Sequence, residues 1–134
     1  MSIDRINPPE LARPSGFSHA VVARGTVIAL AGQTALDGDG QITGDGVVAQ
    51  FEVALGNLLT ALAAAGGRPD QLISLTVYLV DLEDYRRHGA EVGAVWRRLA
   101  GRDYPAMAAV GVSRLWDAAA LVEIQGFAVV PEAG

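Results

Sequence analysis

The feature that most constrains this chain is an apolar repeat at helical spacing between Val47 and Ala65. The repeated positions would form one side of a helix, and they are Val47, Phe51, Ala54, Leu55, Leu58, Leu62 and Ala65. Asp45 is expected to cap the start of the helix, and Gly66-Gly67 are expected to end it. An apolar side of this length has to be buried against a second layer of secondary structure.

Runs rich in β-branched and aromatic residues surround this helix and predict strands. A single glycine, Gly25, separates the first two runs, which are therefore expected to form a hairpin. The last run is apolar at both even and odd positions, which indicates burial of both faces, one of them by other subunits. The predicted strands are Ser18–Arg24, Thr26–Ala31, Leu72–Val80, Ala106–Val112 and Leu121–Val130.

A second helix is predicted to open at Asp81 and to end at Gly101. Gly89 and Gly93 inside it each cost about 1 kcal/mol of helix stability relative to alanine. The element order is therefore β-β-α-β-α-β-β, which fits a two-layer α+β fold with the sheet packed against two helices. Residues 1–134 are expected to form a single domain, in which the proline-containing residues 1–16 are an extended arm.

Composition excludes several kinds of chemistry. The chain has no cysteine, which removes disulfides, thiolate metal sites and cysteine nucleophiles. All ten basic residues are arginine, so a Schiff-base lysine is excluded. The net charge of −5 argues against nucleic-acid binding. The longest apolar windows are interrupted early and the N-terminus does not resemble a signal peptide, so neither membrane insertion nor export is expected and the protein is predicted to be cytoplasmic.

No metal or cofactor is expected. Asp37-Gly38-Asp39-Gly40 resembles the beginning of a calcium loop, but the later acidic ligands are missing and a turn is the better interpretation. His19 and His88 are isolated and do not have the spacing of metal ligands. Trp96 and Trp116 are expected to pack against the rest of the protein, because no basic groove accompanies them.

Six separated motifs occur in the order found in the RidA/YjgF family, also called the endoribonuclease L-PSP or reactive-intermediate deaminase family. The resemblance covers about residues 7 to 130, nearly the whole chain. The motifs are Gly16-Phe17-Ser18-His19-Ala20-Val21, Ala31-Gly32-Gln33, Gln50 with Leu55-Gly56-Asn57-Leu58, Thr76-Val77-Tyr78-Leu79-Val80-Asp81-Leu82, Tyr104-Pro105-Ala106, and Val122-Glu123-Ile124-Gln125-Gly126-Phe127-Ala128.

The resemblance implies a chorismate-mutase-like fold assembled as a homotrimer, in which the sheets form a central barrel. It also implies three clefts between neighbouring subunits, each of which binds a small molecule. In typical members of the family, a cleft hydrolyses an imine or enamine such as 2-iminopropionate to the ketone and ammonia. No nucleic-acid or membrane partner is implied.

The resemblance also assigns site residues. Glu123 matches the glutamate that positions the attacking water or shuttles its proton, and it is the expected catalytic residue. Gly32, Ala108 and Ala109 match ligand-contacting positions of the main chain. His19, near the expected mouth of the site, is a candidate base, a hydrogen-bond donor or simply a packed residue.

Two expected substrate-binding positions depart from the family pattern. Phe17 stands where the family usually has a tyrosine, so a hydroxyl is missing. Met107 stands where the family usually has an arginine that binds the substrate carboxylate through a bidentate contact. Losing one partner of such a pair costs about 2–5 kcal/mol, which weakens binding by tens- to thousands-fold.

The expected function is therefore hydrolysis of an imine or enamine that is not a simple α-imino acid. An alternative is a catalytically inactive protein that uses the same trimeric scaffold to bind a small molecule or a protein partner. Endoribonuclease activity, suggested by the older family name, is disfavoured by the acidic charge and the lack of a basic groove.

Overall fold

The computed structural model describes residues 3–132 and contains a small and a large β-sheet with three α-helices. The strands are β1 (Asp4–Ile6), β2 (Ala20–Val22), β3 (Thr26–Gln33), β4 (Leu72–Leu79), β5 (Ala106–Gly111) and β6 (Val122–Val130). The helices are α1 (Val47–Ala64), α2 (Leu82–Arg87) and α3 (Gly89–Ala100).

The large sheet has the strand order β3-β6-β4-β5. Strand β6 runs antiparallel to both of its neighbours, whereas β5 runs parallel to β4. The parallel pair requires a crossover connection, which α2 and α3 supply. Helix α1 contacts β3, β6 and α3, so the helices form one layer against the sheet. The predicted α+β fold class is confirmed.

Helix α1 follows the predicted apolar repeat closely. Phe51, Leu55, Leu58 and Leu62 are completely or almost completely buried. At its end the N–H of Gly66 donates to Ala63 O at 3.0 Å, and Gly66 has the left-handed φ of 94° that favours glycine. The predicted stop is thus confirmed.

The predicted cap at the start of α1 is wrong. The N-cap is Gly46, with a φ of 92°, and no side chain donates or accepts a capping hydrogen bond. Because this backbone conformation is readily adopted only by glycine, the chain turns at Gly46 and leaves Asp45 one residue outside the capping position.

Helix α1 is also long and apolar enough to resemble a membrane-spanning helix. It has 18 residues with a mean hydropathy of 1.6, which is enough by length and composition to cross a membrane. The expected interruptions are present at Glu52, Gly56 and Asn57, but they do not lower the mean hydropathy of the helix below the value that a membrane span requires. Its apolar side packs against the sheet and α3, and core helices of globular proteins satisfy the same criterion.

The predicted hairpin on either side of Gly25 is wrong. Strand β2 pairs with β1 in the small sheet, whereas β3 pairs with β6 in the large one. Gly25 has a φ of 147°, and a Cβ there would overlap the carbonyl of Val130, so the chain passes between the two sheets at this point. The expected extended arm, residues 1–16, therefore contains a strand within its described part.

The predicted second helix is divided into α2 and α3 at His88. The Nδ1–H of His88 donates to Asp84 O at 2.8 Å and its backbone N–H donates to the same oxygen at 3.2 Å, which closes α2. Gly89 then begins α3. The expected opening at Asp81 is confirmed, because its carboxylate accepts the Asp84 N–H at 3.0 Å.

Polar side chains fix the loops as expected. The Asp37 carboxylate accepts the N–H groups of Asp39 and Gln41 at 2.9 and 3.0 Å, which confirms the predicted turn. The amide of Asn57 on α1 donates to the carbonyls of Thr34 and Leu36 at 3.0 and 2.9 Å. These contacts fix the segment that follows β3.

The two faces of the large sheet differ in character. The inner face, which carries Leu75, Val77 and Ile124, is buried against the helices. The outer face carries Tyr78, Glu123, Gln125 and Phe127, which the strand register places on the opposite side. The expectation that the last strand is apolar on both faces therefore holds only for the inner face, since the outer face is mixed.

Trp96 is buried as expected, but Trp116 is not. The side chain of Trp116 is 93% exposed in the loop between β5 and β6, so the expectation that it packs is wrong for the residues that the structure describes.

Candidate functional site

The N-terminal arm reaches the large sheet at the edge strand β5. The backbone N–H of Ser18 donates to Pro105 O at 2.9 Å, and the Ser18 hydroxyl donates to Tyr104 O at 2.7 Å. Ser18 is only 4% exposed, and it forms a parallel bridge with Ala106. These contacts hold Gly16 and Phe17 beside the middle of β5.

A cavity of about 290 Å³ lies where the arm meets β5. It brings together four of the residues that the sequence assigned to substrate binding, namely Phe17, Met107, Ala108 and Ala109. The other lining residues are Gly16, Val77 and Tyr85. This cavity is mainly apolar.

A larger cavity of about 580 Å³ adjoins the first and continues along α3. Gly16, Tyr85 and Met107 line both cavities. Its walls also include the aromatic residues Phe51, Trp96 and Tyr104, with the Trp96 and Tyr104 rings stacked at a centroid distance of 6.2 Å. Burial raises the pKa of the Tyr85 hydroxyl above its usual value of 10.0, so this group is a neutral hydrogen-bond donor near pH 7.

Glu123 and Gly32 form a second group of predicted site residues. They lie on the paired strands β6 and β3, at the register irregularity that follows Leu30. A Cβ at position 32 would overlap Glu123 Oε2, so the carboxylate lies directly over the glycine. Tyr78 is the cross-strand neighbour of Glu123, and its hydroxyl donates to Gln125 Oε1 at 3.4 Å.

The two groups lie on opposite faces of the sheet within one chain. Met107 pairs with Leu75, whose side chain is buried on the inner face. Glu123 pairs with Tyr78, three residues further along β4 and therefore on the outer face. A single chain thus does not direct Met107 and Glu123 toward one small ligand.

His19 is bonded to the N-terminal arm and is not one of the residues that line the two cavities described above. Its Nε2–H donates to Ala12 O at 2.7 Å, and its backbone N–H donates to the side chain of Asn7 at 2.8 Å. The ring meets Phe17 edge-on at a centroid distance of 5.1 Å. Phe17, which lines the smaller cavity, lies between that cavity and His19.

Tyr85 and Arg97 were not predicted as site residues from the sequence. Arg97 lines the larger cavity together with Gly89 and Gly93. These three residues recur at every fourth position, which places them along one side of α3. That spacing was the available signal, although alone it indicates only a helix weakened by glycine.

The fold and these cavities define a two-layer α+β protein with two adjoining cavities at the junction of its N-terminal segment, its helices and an edge strand. Comparison with known proteins specifies the class further. The family model for endoribonuclease L-PSP matches residues 9–130. The chain belongs to this family, which includes the Rid proteins.

Relatives from distant organisms support the assignment. The RutC family protein UK114 of Drosophila melanogaster is 36% identical over 126 residues, which cover 92% of this chain and 87% of that protein. The 2-iminobutanoate/2-iminopropanoate deaminase of Capra hircus is 32% identical over 114 residues, covering 84% of this chain and 79% of the relative.

A solved structure confirms the fold. The Rid-family protein YyfB of Yersinia pestis, whose function is unknown, superposes with a TM-score of 0.86 at 32% identity. The superposition covers 97% of this chain and all of that one.

Proposed function

We propose that this protein hydrolyses the C=N bond of a small imine, or of the imine tautomer of an enamine, to a carbonyl compound and ammonia. The observation that carries the proposal is the carboxylate of Glu123, which lies half-buried over Gly32 in the absence of an arginine partner among residues 3–132. The goat relative named as an iminobutanoate and iminopropanoate deaminase supports the same reaction class.

In the proposed reaction, Glu123 accepts a proton from a water molecule as the water oxygen forms a bond to the C=N carbon. The nitrogen is protonated, and the resulting carbinolamine loses ammonia as the C=O bond forms. Water therefore supplies the oxygen of the carbonyl product. The step requires only a positioned carboxyl group and a cavity that orients the C=N carbon toward it.

We propose that the active site forms between subunits of a homotrimer. The outer sheet face supports this assembly, because the helices within residues 3–132 lie on the other face and Val27 and Phe127 are 62% and 41% exposed. A neighbouring copy would also bring the two site groups together. Glu123 of one subunit would then face the cavity beside Met107 of the next.

The lining of the cavity argues against a simple α-imino acid as the substrate. Met107 offers a thioether where a carboxylate would require a donor. Its neighbours Phe17, Ala108 and Ala109 add no charged side chain. A short substrate with its carboxylate next to the C=N carbon is expected to bind weakly.

Ammonia release from 2-iminopropionate, generated in the assay, tests this proposal. The wild type is expected to act weakly on this compound, and Met107→Arg is expected to increase its kcat/KM by tenfold or more. Glu123→Gln is expected to abolish turnover in both backgrounds. Strong wild-type activity on 2-iminopropionate would show that the carboxylate is held by another residue.

Two other outcomes would replace the proposal. Ligand binding without any turnover that depends on Glu123 would identify a binding protein on the same scaffold. Retention of the protein on RNA at physiological salt, with cleavage, would restore the ribonuclease hypothesis despite the net charge of −5.

A further inference from the structure

Arg97 differs from the other arginines of α2 and α3. Those arginines have carboxylate partners at 2.9–3.3 Å, in the pairs Arg86–Glu83, Arg87–Asp84 and Arg98–Glu52. Arg97 has no carboxylate within 4.0 Å among residues 3–132, although it lines the larger cavity. A cation at the wall of a cavity that is also lined by aromatic residues is available to bind an anion.

Gly93 places the guanidinium at the cavity. A Cβ at position 93 would lie 3.2 Å from Arg97 Nη1, which is closer than an ordinary van der Waals contact. The arginine therefore lies back along α3 over Gly93, although its side chain remains exposed to solvent. Glycine at this position lowers the stability of the helix by about 1 kcal/mol relative to alanine, in exchange for space that the guanidinium occupies.

The cavity offers an aromatic and aliphatic wall next to this cation. Phe51, Tyr85, Trp96 and Tyr104 supply four aromatic rings, and Met107 adds a flexible apolar side chain. A volume of about 580 Å³ lies within the range of roughly 300–1,000 Å³ that is typical of small-molecule sites. Arg97 lines only the larger cavity, so the charge lies away from the smaller cavity beside Ala108 and Ala109.

We propose that Arg97 binds the carboxylate of a ligand whose aromatic body fills the larger cavity. The anionic group of such a ligand is separated from its reactive end by an apolar body. The position of the C=N group rests on the proposed function: this end of the ligand would extend past Met107 toward the subunit interface. Substrates of this class are imines of aryl-alkyl carboxylic acids whose charge is remote from the C=N carbon.

Equilibrium binding of 3-phenylpropionate, measured by calorimetry, tests the site without requiring turnover. The neutral amide, 3-phenylpropionamide, and acetate serve as probes that lack the charge and the aromatic body, respectively. The wild type is expected to bind 3-phenylpropionate at least tenfold more tightly than either probe. Equal affinity for the acid and the amide would overturn the inference.

Matched variants locate the anion contact. Arg97→Gln is expected to weaken 3-phenylpropionate binding about tenfold and to leave binding of the amide unchanged, as for one charge-assisted hydrogen bond at an exposed side chain. Arg98→Gln is the control, because Arg98 pairs with Glu52 and lines neither cavity. Unchanged affinity in Arg97→Gln, or an equal loss in Arg98→Gln, would contradict the proposed contact.

Gly93→Ala provides a test through geometry rather than charge. The added Cβ is expected to displace the guanidinium and to weaken binding of the acid, while the melting temperature stays equal or rises because alanine favours the helix. A variant that is stable and binds the acid with wild-type affinity would show that the folded-back position of Arg97 is unimportant, and would overturn this part of the inference.

Glu123→Gln separates this inference from the proposed function. Glu123 does not line the larger cavity of its own chain, so the dependence of 3-phenylpropionate binding on Arg97 is expected to persist in this variant. Binding that depends on Arg97, without any imine hydrolysis, would refute only the proposed reaction. Imine hydrolysis that depends on Glu123, with no difference between the acid and the amide, would refute only the role of Arg97.

Discussion

At Gly32, adding a single methyl group is expected to lower activity without lowering the stability of the fold. The Glu123 carboxylate occupies the position that a Cβ would take, and the φ of Gly32 is outside the left-handed region. Gly32→Ala is therefore expected to keep the fold, with a change between zero and about +1 kcal/mol in unfolding free energy. It is also expected to lower turnover as much as Glu123→Gln does, because the carboxylate is displaced.

Gly38→Ala is the matched control for this prediction. Gly38 has open space around its Cα, and its φ is likewise outside the left-handed region. Chemical denaturation and ammonia release should show no change in Gly38→Ala. Wild-type turnover in Gly32→Ala would mean that the position of the Glu123 carboxylate over the glycine does not matter for the reaction.

Individual site residues were only partly predictable from the sequence. Glu123 and Gly32 were assigned through the family resemblance, because no local pattern reveals that residues 91 positions apart meet across paired strands. Met107 and Glu123 lie on opposite faces because of the register between strands, and the sequence of a single strand does not specify that register. The proposed contribution of Arg97 depends on the absence of a Cβ at Gly93. From the sequence, a glycine within a helix indicates only a loss of helix stability.

At the scale of elements, the Ser18 hydroxyl adds to the backbone bond that attaches the segment after the N-terminal arm to β5. Ser18→Ala removes the 2.7 Å bond to Tyr104 O and leaves a carbonyl without its partner. The expected cost is about 1–3 kcal/mol of unfolding free energy. Since Ser18 also positions Phe17, binding of 3-phenylpropionate should weaken as well, measured by denaturant unfolding and by calorimetry.

Ser113→Ala controls for the loss of a serine hydroxyl at an exposed position in the loop before β6. It should change neither stability nor binding by a measurable amount. If Ser18→Ala proved as stable as this control, the backbone bond from Ser18 to Pro105 would be sufficient to hold the arm.

Elements were predictable where a local signal determined them. The apolar repeat of α1 and the stop at Gly66 are local, so both were predicted correctly. The pairing of β2 with β1 was missed because the arm contains prolines and because Gly25 was interpreted as a turn rather than as a passage between sheets. The break at His88 required knowledge of the hydrogen bonds that close α2.

At the scale of the whole molecule, the outer sheet face is the surface on which assembly is expected to depend. Phe127→Glu places a charge in the middle of this face, beside Ala29 on β3. In a trimer the new carboxylates would be desolvated at the interface, which is strongly unfavourable. Sedimentation velocity is expected to change from a trimer to a monomer, with loss of turnover.

Leu11→Glu is the control, since Leu11 is exposed in the arm and lies outside the large sheet. It should retain the assembly state of the wild type. A monomeric wild type, or a Phe127→Glu variant that sediments like the wild type, would contradict assembly through this face.

The opposite orientations of Met107 and Glu123 have a genetic consequence. If each active site combines the cavity of one chain with the carboxylate of another, two different defective alleles can compensate for each other. Chains altered only at position 123 still contribute an intact cavity, and chains altered only in the cavity still contribute the Glu123 carboxylate. A cell that expresses both inactive forms would therefore assemble some working sites. The two defective alleles would show intragenic complementation.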